Sequence, residues 1–183
     1  MKNNCIIAIV GMPGSGKSET IAYLQTKGIP CVRFGQITED GLAKEGLEVT
    51  PENERRFREA LREKHGMAAY ALLSKPTIDA LLKKNEMIAI DGLYSWEEYM
   101  VLQETYTNLI LVALVVDASV RHERLGKRSV RALTSEEAKK RDRAEIENLN
   151  KAGPIARADY YIENNSDDKE NLYRKIDEVL EKI

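Results

Sequence analysis

Eight residues near the start of the chain, Gly11-Met12-Pro13-Gly14-Ser15-Gly16-Lys17-Ser18, follow the spacing G-x-x-x-x-G-K-[ST]. Glycines at these positions let the backbone close around an anion with no Cβ in the way. Backbone N–H groups at the start of the following helix point at the anion, and the helix dipole adds to them. In such a phosphate-binding loop Lys17 reaches the β- and γ-phosphates of a nucleotide, and Ser18 places its hydroxyl on Mg²⁺. The candidate nucleotide-binding set is Gly11, Pro13, Gly14, Ser15, Gly16, Lys17, Ser18 and Glu19. A glycine-rich turn that binds nothing has no need of Gly16, Lys17 and Ser18 together.

Three further groups of residues could work on a phosphoryl group. Asp91 ends an apolar run and is followed by Gly92. A carboxylate there can hold Mg²⁺ or its waters beside Ser18, making Ser18 and Asp91 the candidate metal pair; capping of the next turn is the plainer role. Between Arg121 and Arg131 the chain is strongly basic, and the spacing of Arg124 and Arg128 predicts one helix face. Arginines that close over a moving phosphoryl group neutralise its charge and exclude water. Lys17, Asp91, Arg124 and Arg128 are therefore the candidate catalytic residues. A second cluster, Arg55, Arg56, Arg58 and Arg62, alternates with Glu52, Glu54, Glu59 and Glu63; it fits an anion grip and a solvated helix face equally. Tyr94, Trp96 and Tyr99 fit an acceptor-pocket wall or core packing. His65 and His122 have no matching partner in sequence and are given no role.

These residues need a frame. Cys5–Val10 reads as a buried parallel strand, and Ser18–Lys27 as a helix stopped by Gly28. Cys31–Phe34, Met87–Asp91, Leu109–Val116 and Asp159–Glu163 read as four more strands. Residues 36–49 read as a loop with a short helix. Helices are expected at 51–64, 67–84 with a kink at Pro76, 96–105, 134–150 and 169–182, with a basic helix and loop at 119–131. Thr50 is a candidate N-cap, and Thr134 with Glu137 has capping-box spacing. Strands alternating with helices predict a parallel sheet, with ligands at the carboxyl ends of its strands.

The 183 residues, 43% hydrophobic and 32% charged, suit one α/β domain, and a net charge of -2 argues against a general nucleic-acid footprint. Cys5 and Cys31 both fall in expected strands and read as small core residues. No apolar run is long enough to span a bilayer and no signal peptide is visible, so a cytoplasmic protein, monomeric or weakly homo-oligomeric, is expected.

Gly11–Ser18, Gly46–Asn53, Leu61–Gly66, Asp91-Gly92, Arg124–Arg128, Arg141-Asp142-Arg143 and Ala158–Asn165, in that order, resemble the P-loop nucleoside and nucleotide kinases. The adenylate-kinase-related group known mainly from archaea, and dephospho-coenzyme A kinase, are the most similar. The resemblance covers nearly the whole chain. It implies a three-layer α/β/α fold with a five-stranded parallel sheet in the order 2-3-1-4-5. It also implies a single domain, 1–183, with an acceptor-binding helical region at about 36–70 and a lid at about 121–143. The implied activity is transfer of the γ-phosphoryl group of Mg·ATP to a small nucleotide-like acceptor. Arg124 and Arg128 match the lid arginines, and Asn164 lies where the adenine of ATP is placed. Gln36, Glu39 and Tyr94 depart from the pattern, which has an Asp, an Arg and an acceptor-gripping Arg there. The alternative to a kinase is a nucleotide-binding switch or slow ATPase with no small acceptor.

Overall fold

The computed structural model describes residues 4–183. Its five strands are β1 (Cys5–Val10), β2 (Cys31–Arg33), β3 (Met87–Asp91), β4 (Leu109–Val115) and β5 (Tyr160–Glu163). All pair in parallel, in the order β2-β3-β1-β4-β5 that the resemblance implies. The helices are α1 (Lys17–Thr26), α2 (Gly35–Lys44), α3 (Pro51–His65), α4 (Ala69–Leu82), α5 (Trp96–Thr105), α6 (Ala118–Gly126), α7 (Ser135–Glu147), α8 (Ala152–Ala156) and α9 (Lys169–Leu180).

β1 is central and wholly buried. Successive side chains point to opposite faces of the sheet. Ile6, Ala8 and Val10 join Phe34, Tyr70, Ile78, Leu93 and Leu102 on one side. Ile7 and Ile9 join Ile21, Leu24, Leu172 and Ile176 on the other, under α1 and α9. A helix layer therefore covers each face, the only arrangement that buries a run as apolar as β1 or β4. Register then builds the site. Ile9 pairs with Asp91 and Val10 with Ala113, so Gly11 and Asp91 leave the sheet side by side at its carboxyl edge.

The caps match their sequence signals. Thr50 accepts the N–H of Asn53 at 3.2 Å, and Thr134 and Glu137 form a reciprocal capping box. Ser95 and Glu98 form a second one. Pro76 lies inside α4. Cys5 and Cys31 are free thiols, Cys5 buried and Cys31 half-buried. No helix among the described residues is long and apolar enough to cross a membrane.

Three stretches differ from the sequence expectation. The short helix expected within the loop at 36–49 is the ten-residue α2, which takes up most of that stretch and is held by buried Thr38 and Leu42. α7 stops at Glu147, and the short helix α8 follows it unannounced. α6 stops at Gly126, with the Lys127 N–H closing onto Glu123. Arg128 therefore lies beyond the helix, and Arg124 and Arg128 do not share one helix face.

Gly41 explains how α2 packs on α3. A Cβ there would stand 2.0 Å from Cζ of Phe57, so the ring lies directly on the glycine. Gly41→Ala is expected to cost about 1–3 kcal/mol, since overpacking outweighs the gain in helix propensity. A lower urea midpoint with an unchanged m-value would show this; an unchanged midpoint would mean that the ring moves aside freely.

Candidate active site

The loop between β1 and α1 is built on glycines with positive φ: Gly11 at 148°, Gly14 at 81° and Gly16 at 102°. A Cβ on Gly14 would stand 2.7 Å from the Arg121 carbonyl oxygen, and one on Gly16 would stand 2.6 Å from Asn164 Nδ2. The loop is thus pressed between α6 and the end of β5. Asn164 donates to the Ser15 carbonyl at 3.0 Å, which fixes the loop from that side. Gly16 is the N-cap of α1 and offers no side-chain cap, so the first N–H groups of the helix keep no partner within it. Ser15 Oγ is buried and unpartnered. Loop geometry and open N–H groups suit a bound phosphate chain.

Above the loop lies a cavity of about 370 Å³. Pro13, Gly14, Gly16, Lys17, Ser18 and Glu19 form its floor, Asp91 and Tyr94 one wall, and Arg124, Arg128, Arg141, Glu145 and Lys151 the rest. Gly11 and Ser15 stand behind the loop rather than on its surface. Lys17 Nζ donates to the Gly11 and Met12 carbonyls at 2.8 and 3.0 Å. Loss of water and the nearby Lys151 charge lower its pKa to about 7. Burial raises the Asp91 pKa, against the pull of Lys17, Arg33 and Lys151. Ser18 and Asp91 line one cavity, and no cluster of three or more His, Cys, Asp or Glu stands anywhere among the described residues. That donor set fits Mg²⁺, which keeps most of its waters and takes its other oxygens from phosphates.

Arg124 borders this cavity and is tied to the loop after β5. Its guanidinium donates to the Asn164 carbonyl at 2.8 Å, to the Ser166 carbonyl at 2.6 Å and to Asp167 at 3.0 Å. With Asn164 it edges a second hollow of about 150 Å³ on the α9 side. Arg128 makes no hydrogen bond or ion pair among the described residues; burial and nearby Arg141 lower its pKa. Arg121, at the start of the expected lid, is 7% exposed. It donates to the Pro13 carbonyl at 3.1 Å and pairs with both oxygens of Asp142 at 2.8 Å. His122 bonds the same carboxylate at 2.9 Å. Arg121 and Asp142 therefore belong to the fixed frame that holds the phosphate loop.

Three site residues carried no assigned role in the sequence. Lys151 is 2% exposed, pairs with Glu145 and sits 4.4 Å from the centroid of the Tyr94 ring. Arg141 bonds Glu145 at 3.4 Å. Burial pushes the Glu145 pKa up, but Lys151 and Arg141 bring it below the ordinary value. A cation thus stands against Tyr94, brought by α8 instead of the β3 loop. Only the Arg141-Asp142-Arg143 segment hinted at this group; a lone Lys151 gave no signal. Tyr99 packs in the core, and Trp96 lies over Gly153.

Glu98 supports Tyr94 from below. It is 0% exposed, and its Oε2 accepts the N–H groups of Tyr94 at 2.7 Å and Ser95 at 3.1 Å. Burial raises its pKa to about 7 from an ordinary 4.5. Below pH 4.5 folded and unfolded chains both hold the proton. Between 4.5 and 7 only the unfolded chain releases it, so stability falls as pH rises, by on the order of 3 kcal/mol in all. Glu98→Gln lacks this fall. Its stability relative to the parent is expected to rise across that window in urea titrations at several pH values; a pH-independent difference would mean that Glu98 is ionised when folded.

A phosphate loop between the first strand and helix of a 2-3-1-4-5 parallel sheet is the P-loop kinase fold. TT1252 from Thermus thermophilus shares this fold over 100% of the chain and 99% of its own, at 22% identity and a TM-score of 0.63. So does shikimate kinase from Bacteroides thetaiotaomicron, over 97% and 98%, at 16% identity and a TM-score of 0.63. Residues 7–149 match a family model described as an AAA domain. UPF0200 proteins of Thermococcus onnurineus and Sulfurisphaera tokodaii are 35% and 36% identical, each over 97% of this chain and 97% of their own length. The chain belongs to the UPF0200 family.

Proposed function

We propose that this chain is an ATP-dependent small-molecule kinase that moves the γ-phosphoryl group of ATP to a nucleotide-like acceptor. The observation that carries this is the single cavity that gathers Lys17, Ser18 and Asp91 with the unpaired Arg128, and with Arg141 and Lys151. A switch or simple nucleotide-binding loop has little use for three further cations there.

Lys17 exchanges its two loop carbonyls for β- and γ-phosphate oxygens. Ser18 and Asp91 would hold Mg²⁺ and its waters, and the metal would supply charge neutralisation to the phosphate chain. Arg124 keeps Asn164 and the 164–167 loop in place beside the nucleotide base. Arg128 swings in as the chain between Arg121 and Asp142 closes, and meets the charge that develops on the transferring group. The acceptor enters from residues 36–70 and Tyr94. Glu39 pairs with Arg33 at 2.7 Å and Tyr94 is uncharged, so Lys151 and Arg141 take over the acceptor side.

ADP release from Mg·ATP, followed with nucleoside monophosphates, dephospho-coenzyme A, nucleosides and small phosphorylated metabolites, tests the reading. Acceptor-dependent release well above background is expected. Clear ATP binding with slow release that no acceptor changes would move the assignment to a switch or ATPase.

A further inference from the structure

A second cleft opens where α3 faces α7, with a volume of about 440 Å³. It shares Arg141 and Glu145 with the phosphate cavity, so the two hollows adjoin across these side chains. Arg55, Arg58 and Arg62, at i, i+3 and i+7 on one face of α3, line its far side. Met67 and Leu149 give it apolar walls.

The charges here do not balance. Glu145 is already taken by Lys151 and Arg141. Glu59 is the other carboxylate in the lining and forms no ion pair among the described residues. Arg58 approaches Glu54 only at 3.8 Å, and Glu54 is also held by Arg131 at 3.1 Å. Arg55 and Arg62 form no ion pair among the described residues, and the carboxyl that feels the Arg62 charge, Glu98, is itself held close to neutral by burial. Arg62 is the telling one. Its guanidinium lies 5.3 Å from the centroid of the Tyr70 ring, whose hydroxyl is fixed by Thr38 at 2.7 Å. Its Nε is buried and has no hydrogen-bond partner. A buried donor left unmade is costly, more so on a charged group. A planar guanidinium stacked in place, with free donors, is shaped for a phosphate or carboxylate.

Resting on the kinase reading, we infer that the acceptor is a small molecule with two separate anionic groups. One end takes the phosphoryl group in the loop cavity, and a second, remote anion, phosphate or carboxylate, sits on Arg55, Arg58 and Arg62. Such an acceptor spans both hollows past Arg141, and its middle lies on Met67 and Leu149. A mononucleotide with one phosphate leaves the arginine end unfilled.

The direct probe is inorganic pyrophosphate, titrated by calorimetry into protein saturated with Mg²⁺ and a non-hydrolysable ATP analogue, so that the phosphate loop is occupied. One pyrophosphate per chain is expected, bound at least tenfold more weakly by Arg55→Gln/Arg62→Gln, with affinity for the ATP analogue unchanged. Should the double variant not fold, exposed Arg55→Gln alone is expected to weaken binding threefold or more. No binding to the saturated parent protein, or equal binding by the variant, overturns the inference. The kinase reading is judged separately, by ADP release. Pyrophosphate on the arginines with no productive acceptor leaves the anion site standing and removes the kinase. A productive acceptor with one anionic group, and a KM unchanged in the variant, does the reverse.

Discussion

Lys17→Ala is expected to lose turnover by about a hundredfold or more while the fold is held or slightly strengthened. Both halves come from the same environment. Lys17 stands on the floor of the loop cavity with its ammonium on two carbonyls, and its proton is held weakly, with a pKa lowered to about 7. The neighbouring Lys151 adds to that cost. A charge kept where the folded chain disfavours it is a sign of function, since stability alone would remove it. Removal of one preorganised donor to a developing anion costs roughly 10²–10³ in kcat. Removal of a disfavoured charge from the apo protein relieves repulsion with Lys151 and forfeits only two hydrogen bonds to loop carbonyls. Steady-state ADP release with the productive acceptor, beside thermal melting without nucleotide, reads both quantities. Near-normal turnover would end the mechanism. A large fall in melting temperature would recast Lys17 as a structural tie of the loop.

The parts legible in the sequence are those where local pattern and tertiary demand agree. β1 and β4 are apolar runs because both faces of the strand are covered, and Gly11–Ser18 is readable because one short segment supplies strand end, turn and helix start. The sheet order came from the family resemblance and is matched by the observed pairing. The extent of α2 was obscured for the opposite reason. Gly35, Gly41 and Gly46 look like breakers, yet Gly41 serves the ring of Phe57, which arrives from α3. α8 contains Gly153 and Pro154, and its glycine accommodates the indole of Trp96 from α5. Neither contact leaves a local trace.

The same divide runs through the site. Asp91 was readable because a strand-end acid beside a phosphate loop is a local signal. Arg121 reads as one more charge in a basic run, but the Pro13 carbonyl and the Asp142 carboxylate, which bury it, come from distant segments. The departure at Tyr94 suggested a missing cation. The fold returns one from α8, and no spacing rule connects position 94 to position 151.

Lys151 therefore carries the second large expectation. Lys151→Met is expected to lower stability by about 3–5 kcal/mol, because it strands the buried Glu145 carboxylate with only the longer Arg141 contact. For a chain of this length that is on the order of 10 °C in melting temperature. Turnover is expected to fall about a hundredfold as well, since the ammonium lines the cavity above the phosphate loop. The two losses have different causes, and a double-mutant cycle separates them. Lys151→Met/Glu145→Gln removes both charges, so most of the stability should return. Turnover should not, because the cation beside Tyr94 is still absent. Recovery of both would make Lys151 a structural partner of Glu145 and nothing more. Recovery of stability alone would place Lys151 among the groups that act on the phosphoryl being transferred.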